Sequence, residues 1–384
     1  MAAANLLKDR SVHVIGIGLH RYQRASETPY VTLGLTAVRE ALKDAGVEWR
    51  QVDTAYVGNA RIGMAAGSTM LRYLGPSNVA VVQVENASAS GSSAFRQAVH
   101  DVASGLADIS IAIGVDKPVA GAGRGGPINA QVRSLADGLV VPFTHFAMLT
   151  ERYMADTGAT AEQIAKVAVK NHGYGAKNPY AQRQKARTLE EVLAPPVIAG
   201  PLTRLQCTPV GEGGAATIVA SESAIQRLGL TRNRAVRVTA SASRLQEFTP
   251  GDNPDVVLTR NTTLDALEAA GVAPAELDVI ELHDAFSIEE LLYAEAMGLC
   301  GAGEAAERLE RGEFNIGGKH AISPSGGLLA MGHPIGPTGV GQVCEIVRQL
   351  RGEAGARQHP DARIGLAHMV GVGAVCVVHV LQSD

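Results

Sequence analysis

The stretch VENASASGSSAFRQ, Val84 to Gln97, is a turn of small residues opening onto a helix, built like the seat of a nucleophile, yet it carries Ser88 where a cysteine would make immediate sense. A helix N-terminus has roughly half a positive charge and unsatisfied N–H groups, which lower a thiol's pKa and bind a developing oxyanion. Ser, Ala and Gly are equally the ordinary residues of an N-cap and of close packing, so the stretch alone leaves both readings open. Three histidines complete the set of residues able to do chemistry: His283 in LHDAF, His333 in SPSGGLLAMGHPIGPTG and His368 in HMVGVGA. An unperturbed imidazole titrates near neutrality and so trades protons with a substrate at physiological pH. A His-Pro between two glycines has little to offer a core, which singles out His333. His283 and His368 also suit hydrogen bonds at strand ends. Asp284 reads as a residue that fixes backbone or imidazole geometry, and Tyr293, at helical spacing after Phe286, as core.

The elements that must position these residues come in two copies. ALKDAGVEWRQVDTAYVG, from Ala41, is echoed by ALEAAGVAPAELDVIELH, from Ala266, at a constant offset. Each copy predicts an amphipathic helix ended at Ala-Gly, a short connection, and a buried strand after Val52-Asp53 or Leu277-Asp278. Each is followed by a glycine-rich turn and a further helix, SASGSSAFRQAVHDVASG in the first half and GPTGVGQVCEIVRQLRG in the second. Two layered α/β halves are expected. Between them, from about Pro118 to Leu205, a glycine-rich loop (AGAGRGGP) and helices such as AEQIAKVAVKNHGYG look like an insertion. Its basic residues, Lys166, Lys170, Lys177, Arg183, Lys185 and Arg187, suit either a solvated helix face or a seat for a phosphorylated ligand. The strand, helix and strand of Gly211–Gly229 and Arg234–Ser243 are expected to return the chain to the first half.

Composition supports this reading. With 384 residues, 46% hydrophobic, 19% charged, 43 glycines and 4% aromatic, the chain is long enough for a large core with many strand-to-helix turns. The net charge of −4 and the scattered basic residues give no reason to expect nucleic acid. Cys207, Cys300, Cys344 and Cys376 show neither C-x-x-C spacing nor Cys/His clusters, so reduced thiols are expected rather than disulfides or a metal site. The N-terminal apolar run is too short for a secretory signal, no apolar segment has transmembrane length, and LQSD is no peroxisomal address; a cytoplasmic protein is expected.

The duplicated halves together with VENASASGSSA, LHDAF, SPSGGLLAMGHPIGPTG and HMVGVGA resemble the thiolase superfamily, in its sterol-carrier-protein or lipid-transfer branch. The resemblance covers essentially the whole chain, and G-H-P-I-G-P-T-G downstream of H-D-A-F is its most specific part. It implies an α/β thiolase fold of duplicated αβαβα halves forming a five-layer sandwich. The N-terminal half would comprise 1–118 plus 206–245, an inserted loop domain 119–205, and the C-terminal half 246–384. It also implies a homodimer and acyl-coenzyme A chemistry, with Lys170, Asn171, Arg183, Ser325 and Gly326 expected to contact coenzyme A.

Residue by residue, the resemblance places Ser88 at the nucleophilic cysteine and His333 at the histidine that activates it and holds the thioester oxyanion. His283 takes the place of the histidine that positions a catalytic water, and the N–H of Gly371 joins the oxyanion site. This branch's acid/base cysteine corresponds to Ala285, and the second cysteine of other thiolases to Met369. Every sulfur a thiolase uses is therefore absent. Serine needs a dedicated base and an orienting partner to become a nucleophile, whereas the surviving oxyanion machinery suits a thioester enolate formed without a covalent intermediate. Retro-aldol cleavage of a β-hydroxyacyl-CoA is the leading expectation, although steroid-side-chain aldolases of this branch carry a tyrosine where His283 stands. The alternatives are a degradative thiolase or acyltransferase using Ser88 or no covalent nucleophile, and a catalytically silent acyl-CoA-binding subunit. Relatives of this branch often work with a small zinc-ribbon/OB-fold protein, so such a partner is expected too.

Overall fold

A computed structural model describes residues 6–118, 142–247, 253–371 and 375–383. The AGAGRGGP loop, the proposed boundary after residue 118 and residues 372–374 of the C-terminal glycine motif fall at or beyond the edges of these segments.

The strands, in chain order, are β1 (Val12–Gln23), β2 (Thr54–Gly58), β3 (Ala80–Val84), β4 (Ile109–Asp116), β5 (Val197–Ala199), β6 (Leu202–Thr203), β7 (Glu212–Ser221), β8 (Val236–Leu245), β9 (Val279–Glu281), β10 (Ala321–Ile322), β11 (Ile364–Gly371) and β12 (Val375–Gln382). β5 and β6 form a separate hairpin; the others line up as β10-β9-β11-β12-β8-β1-β7-β4-β2-β3. The order is a duplication. β2 runs parallel to β3 and β4, as β9 does to β10 and β11, while β7 is antiparallel to β4 and β1, as β12 is to β11 and β8. The halves meet where Val12–Val14 of β1 pairs with Val236–Val238 of β8. This corrects one expectation: β8 pairs along its length with β12 and only briefly with β1, so it opens the second half instead of returning to the first.

The local chemistry is duplicated as well. The Tyr30–Ala45 and Pro254–Ala270 helices end at Gly46 (φ 68) and Gly271 (φ 69), left-handed caps that only glycine adopts without strain. Asp53 then accepts from the backbone N–H groups of Asp108 and Ile109, and Asp278 from those of Arg363 and Ile364, tying each half's first parallel strand to its neighbour.

Those two helices pack on the outer faces of their own halves. Two others, Ser90–Ser104 and Ile335–Leu350, touch each other and strands of both halves, forming the middle of five layers. The second buries every residue except Ile335 and Arg348, the pattern of a helix covered on all sides. Their N-terminal turns cross so closely that a Cβ on Gly91 would collide with the Gly336 carbonyl. Gly91→Ala is therefore expected to lower stability by about 1–3 kcal/mol through overpacking, read as a lower urea midpoint. Activity should fall with it, because the displaced helix follows directly on His333; unchanged midpoint and rate would show the crossing to be loose. The inserted segment does not stand apart: Phe146, Ile164 and Val192 share one core with Leu258, Leu291 and Leu366 of the second half.

Candidate active site

The crossing of the two central helices brings together residues 245 positions apart: Ser88 Oγ lies 3.1 Å from His333 Nε2. Ser88 sits on a tight turn after β3 in which Ala87 takes a left-handed conformation (φ 49), a strained backbone of the kind that presents a side chain at a functional site. It does not cap the following helix. The N-cap residue is Ala89, without a side-chain bond, and Ser90 ties the turn by donating to the Ala87 carbonyl (2.6 Å) and accepting from the Asn86 N–H (2.9 Å). Gly371 packs against this turn so tightly that a Cβ would strike the Asn86 carbonyl.

The ring of His333 is oriented by Thr338, whose hydroxyl donates to the Pro334 carbonyl (2.5 Å) and so accepts from Nδ1–H at 2.9 Å. Nε2 is then bare and accepts from the Ser88 hydroxyl. Burial, with the nearby His283 and Arg61, pushes the pKa of His333 well below its ordinary 6.5, so the ring is neutral at physiological pH.

His283 stands edge-on to His333, ring centroids 5.5 Å apart. Its Nδ1 lies 2.7 Å from Glu289 Oε1, which also accepts from the Tyr293 hydroxyl at 3.1 Å, while Oε2 accepts from the Phe286 N–H at 2.8 Å. With Nδ1–H given to the carboxylate, Nε2 presents a lone pair, and this buried atom has no hydrogen-bond partner among the described residues. Glu289 was not singled out by sequence reasoning. A Glu in the first turn of a helix reads as a capping-box residue, and it does hold the Phe286 N–H. Tyr293, expected to be core, is buried but also braces Glu289 and packs edge-on against His368 (5.1 Å). His368 supports from behind: Nε2 bonds Thr259 (3.0 Å), and burial, helped by His283, pushes its pKa down to about 3.

Ser88, His283 and His333 line one cavity of about 180 Å³, together with Ala285, Arg61 and Asp116. Phe143, Phe146 and Phe286 form its aromatic wall, Phe146 stacking on Phe286 at 4.5 Å. None of the four cysteines lines it, and burial pushes Cys300, Cys344 and Cys376 up to about 12, leaving inert thiols. Among the described residues no cluster of His, Cys, Asp and Glu is suited to a metal ion, and no helix is long and apolar enough to cross a membrane.

Most of the residues expected to contact coenzyme A lie elsewhere. Lys170 is buried against Glu290 (3.1 Å) and the Ile322 carbonyl (2.6 Å), and Asn171 donates to Asp284 (2.6 Å). Ser325 bonds both oxygens of Glu281, and Gly326 is wedged against Gly175. Asp284 fixes backbone, as expected, by accepting from the Leu328 N–H at 2.7 Å. These groups form a polar floor whose carboxyls, Asp284, Glu281 and Glu290, are raised in pKa chiefly by burial. Arg183 differs. With Arg24, Lys185, Arg187 and Arg204 it lines a groove of about 630 Å³ that shares Pro209 and Val210 with the cavity of His283 and His333.

Residues 17–223 match the thiolase N-terminal domain and residues 240–383 the thiolase C-terminal domain-like family. Benzoylsuccinyl-CoA thiolase subunit BbsB of Thauera aromatica is 37% identical over 372 residues, 95% of this chain and 96% of that protein. Sterol carrier protein 2 of Bos taurus is 34% identical over 399 residues, 98% of this chain and 73% of that protein. A solved structure named "Ltp2-ChsH2(DUF35) aldolase" superposes with a TM-score of 0.83 at 25% identity, covering 97% of this chain and 98% of the other. With both thiolase domains matched in order on a duplicated five-layer fold, the chain belongs to the thiolase superfamily, in its sterol-carrier-protein and lipid-transfer branch, and is an enzyme of acyl-CoA chemistry, an acyltransferase or a lyase.

Proposed function

We propose that the enzyme cleaves a β-hydroxyacyl-CoA by a retro-aldol reaction, without an acyl-enzyme. The observation that carries this reading is His283: one nitrogen is held by the Glu289 carboxylate, and the other is buried, unpartnered and on a cavity that contains no thiol. Nε2 takes the β-hydroxyl proton, the Cα–Cβ bond breaks, and a ketone or aldehyde leaves. The electron pair forms a thioester enolate, and the imidazolium returns the proton to Cα. Glu289 offsets the charge that the ring carries between these steps. The enolate oxygen is met by the N-terminus of the Ser90–Ser104 helix and by neutral His333. When Thr338 donates to Nδ1 instead of Pro334, the His333 proton sits on Nε2 and points toward the substrate oxygen.

The Ser88–His333 contact favours a second reading, a serine acyl-enzyme. Its weakness is the orienting partner: Thr338 is uncharged, and the surroundings that lower the His333 pKa oppose the imidazolium that serine activation requires. The coenzyme's phosphates fit the basic groove of Arg24, Arg183, Lys185, Arg187 and Arg204, with its pantetheine arm passing Pro209 and Val210. A homodimer in the cytoplasm, working with a zinc-ribbon/OB-fold partner, belongs to the same proposal. The partner is supported by a relative named as a thiolase subunit and by a solved structure named "Ltp2-ChsH2(DUF35) aldolase".

Product analysis decides between the readings. With a panel of β-hydroxyacyl-CoAs, one thioester and one carbonyl compound should form with no free CoA consumed, iodoacetamide should not abolish the reaction, and acetoacetyl-CoA plus CoA should give little thiolysis. Consumption of CoA into two thioesters, or a Ser88 acyl adduct chased off by CoA and seen by mass spectrometry, would overturn the aldolase reading.

A further inference from the structure

Arg61 lines the cavity, and the proposed reaction gives its charge no task. It follows β2, half-buried, and its guanidinium has no hydrogen-bond or ion-pair partner among the described residues. The nearest acid in the same wall, Asp116, is already bound by backbone N–H groups. Ala60 (3.1 Å), Arg61 (3.0 Å), Lys117 (3.2 Å) and Gly336 (3.1 Å) all donate to it. Asp116 thus pins the main chain of Arg61 in place without neutralising its side chain. Much of the remaining wall is apolar, from Phe143, Phe146, Phe286, Val210 and Ile335. A cation on such a wall with no counter-ion is costly unless a ligand supplies one.

We infer that Arg61 receives a carboxylate on the acyl group, so that the substrate is an acidic acyl-CoA: a thioester at the His283–His333 end, an anionic group on Arg61, and an apolar portion against the three phenylalanines. The inference rests on the acyl-CoA reading of the site. A planar guanidinium binds a carboxylate through two parallel hydrogen bonds, a geometry no neutral chain exploits. The coenzyme's phosphates do not compete for this role, because the five basic residues of the neighbouring groove offer them a separate seat. The charge on Arg61 also bears on the reaction, as it helps keep His333 neutral.

The test is equilibrium binding of chain-matched pairs, glutaryl-CoA against valeryl-CoA and succinyl-CoA against butyryl-CoA, with CoA alone as reference. At least one acidic member should bind about tenfold or more tighter than its neutral match, the scale of a hydrogen bond to a charged group. Arg61→Met should abolish that preference while leaving CoA and valeryl-CoA affinities unchanged, and Arg61→Lys should retain part of it. Equal binding of acidic and neutral members, a preference that survives in Arg61→Met, or a parallel loss for CoA and every acyl-CoA in that variant would each overturn the inference while leaving the acyl-CoA reading standing. Failure of the unmodified protein to bind CoA or any of its thioesters would instead overturn the acyl-CoA reading, and this inference with it.

Discussion

Replacing His283 by glutamine is expected to lower kcat by about 10²–10⁴, the usual contribution of a positioned acid/base group, with the affinity for acyl-CoA changed little. The ring lines the cavity and its Nε2 has no partner among the described residues, so its loss removes the proton acceptor while the basic groove stays intact. Glu289→Gln acts through the same ring. One Gln oxygen cannot accept from His283, Tyr293 and the Phe286 N–H together, and an amide N–H turned toward Nδ1 would force the proton onto Nε2, the wrong tautomer for a base. Its kcat should fall nearly as far as that of His283→Gln, with KM close to normal and a changed pH profile. Tyr293→Phe removes one donor and leaves the tautomer alone, so it should cost stability more than rate. If Glu289→Gln and Tyr293→Phe lost only stability, the carboxylate would be a structural brace and nothing more.

His333→Ala is expected to lower turnover at least about a hundredfold, the loss that follows removal of one oxyanion donor, and at least as severely as Ser88→Ala. Near-normal turnover in the His333 variant would remove it from the site. The same residue has a pH signature. Its folded pKa lies below the ordinary 6.5, so the folded protein takes up fewer protons than the unfolded chain once pH falls under that value. Its contribution to stability is whole above about pH 6.5 and is lost as pH falls toward the folded pKa. Burial gives His172, His368 and His379 the same sign, with pKa values pushed down to about 4, 3 and 3. The raised carboxyls of Asp284, Glu281 and Glu290 carry the opposite sign in both proteins, so the histidine is read by difference: the urea midpoint of the unmodified protein should fall relative to that of His333→Ala between pH 6.5 and pH 4. A difference between the two proteins that stays constant across that window would contradict the neutral, buried state of the His333 ring. The pH–rate profile, by contrast, should show no break near neutrality that disappears in His333→Gln.

Much of the architecture was legible because it is written in local patterns. The Ala-Gly helix ends and the Val-Asp or Leu-Asp strand starts occur twice at one offset, and each copy specifies the same cap and the same aspartate clamp wherever it stands. The candidate histidines and the missing sulfurs were legible for a similar reason, since G-H-P, H-D-A-F and the absence of cysteine are facts of single short segments. Pairing was not. That Ser88 meets His333, and does not cap its own helix, depends on two helices approaching at Gly91 and Gly336, a contact made between the two halves of the fold. Lys170 and Asn171 looked like ligand contacts because a basic and a polar residue on a helix are ordinarily free. Only packing turned them onto Glu290 and Asp284, where a buried carboxyl requires a partner. Glu289 and Arg61 show the same division from the other side: the first reads locally as a cap and the second as a surface charge. The sequence alone determined the repeated elements and the inventory of reactive groups, because periodicity and turn chemistry act between near neighbours. The tertiary structure decided which buried polar group faces which, because that depends on desolvation and close approach among segments far apart in the chain.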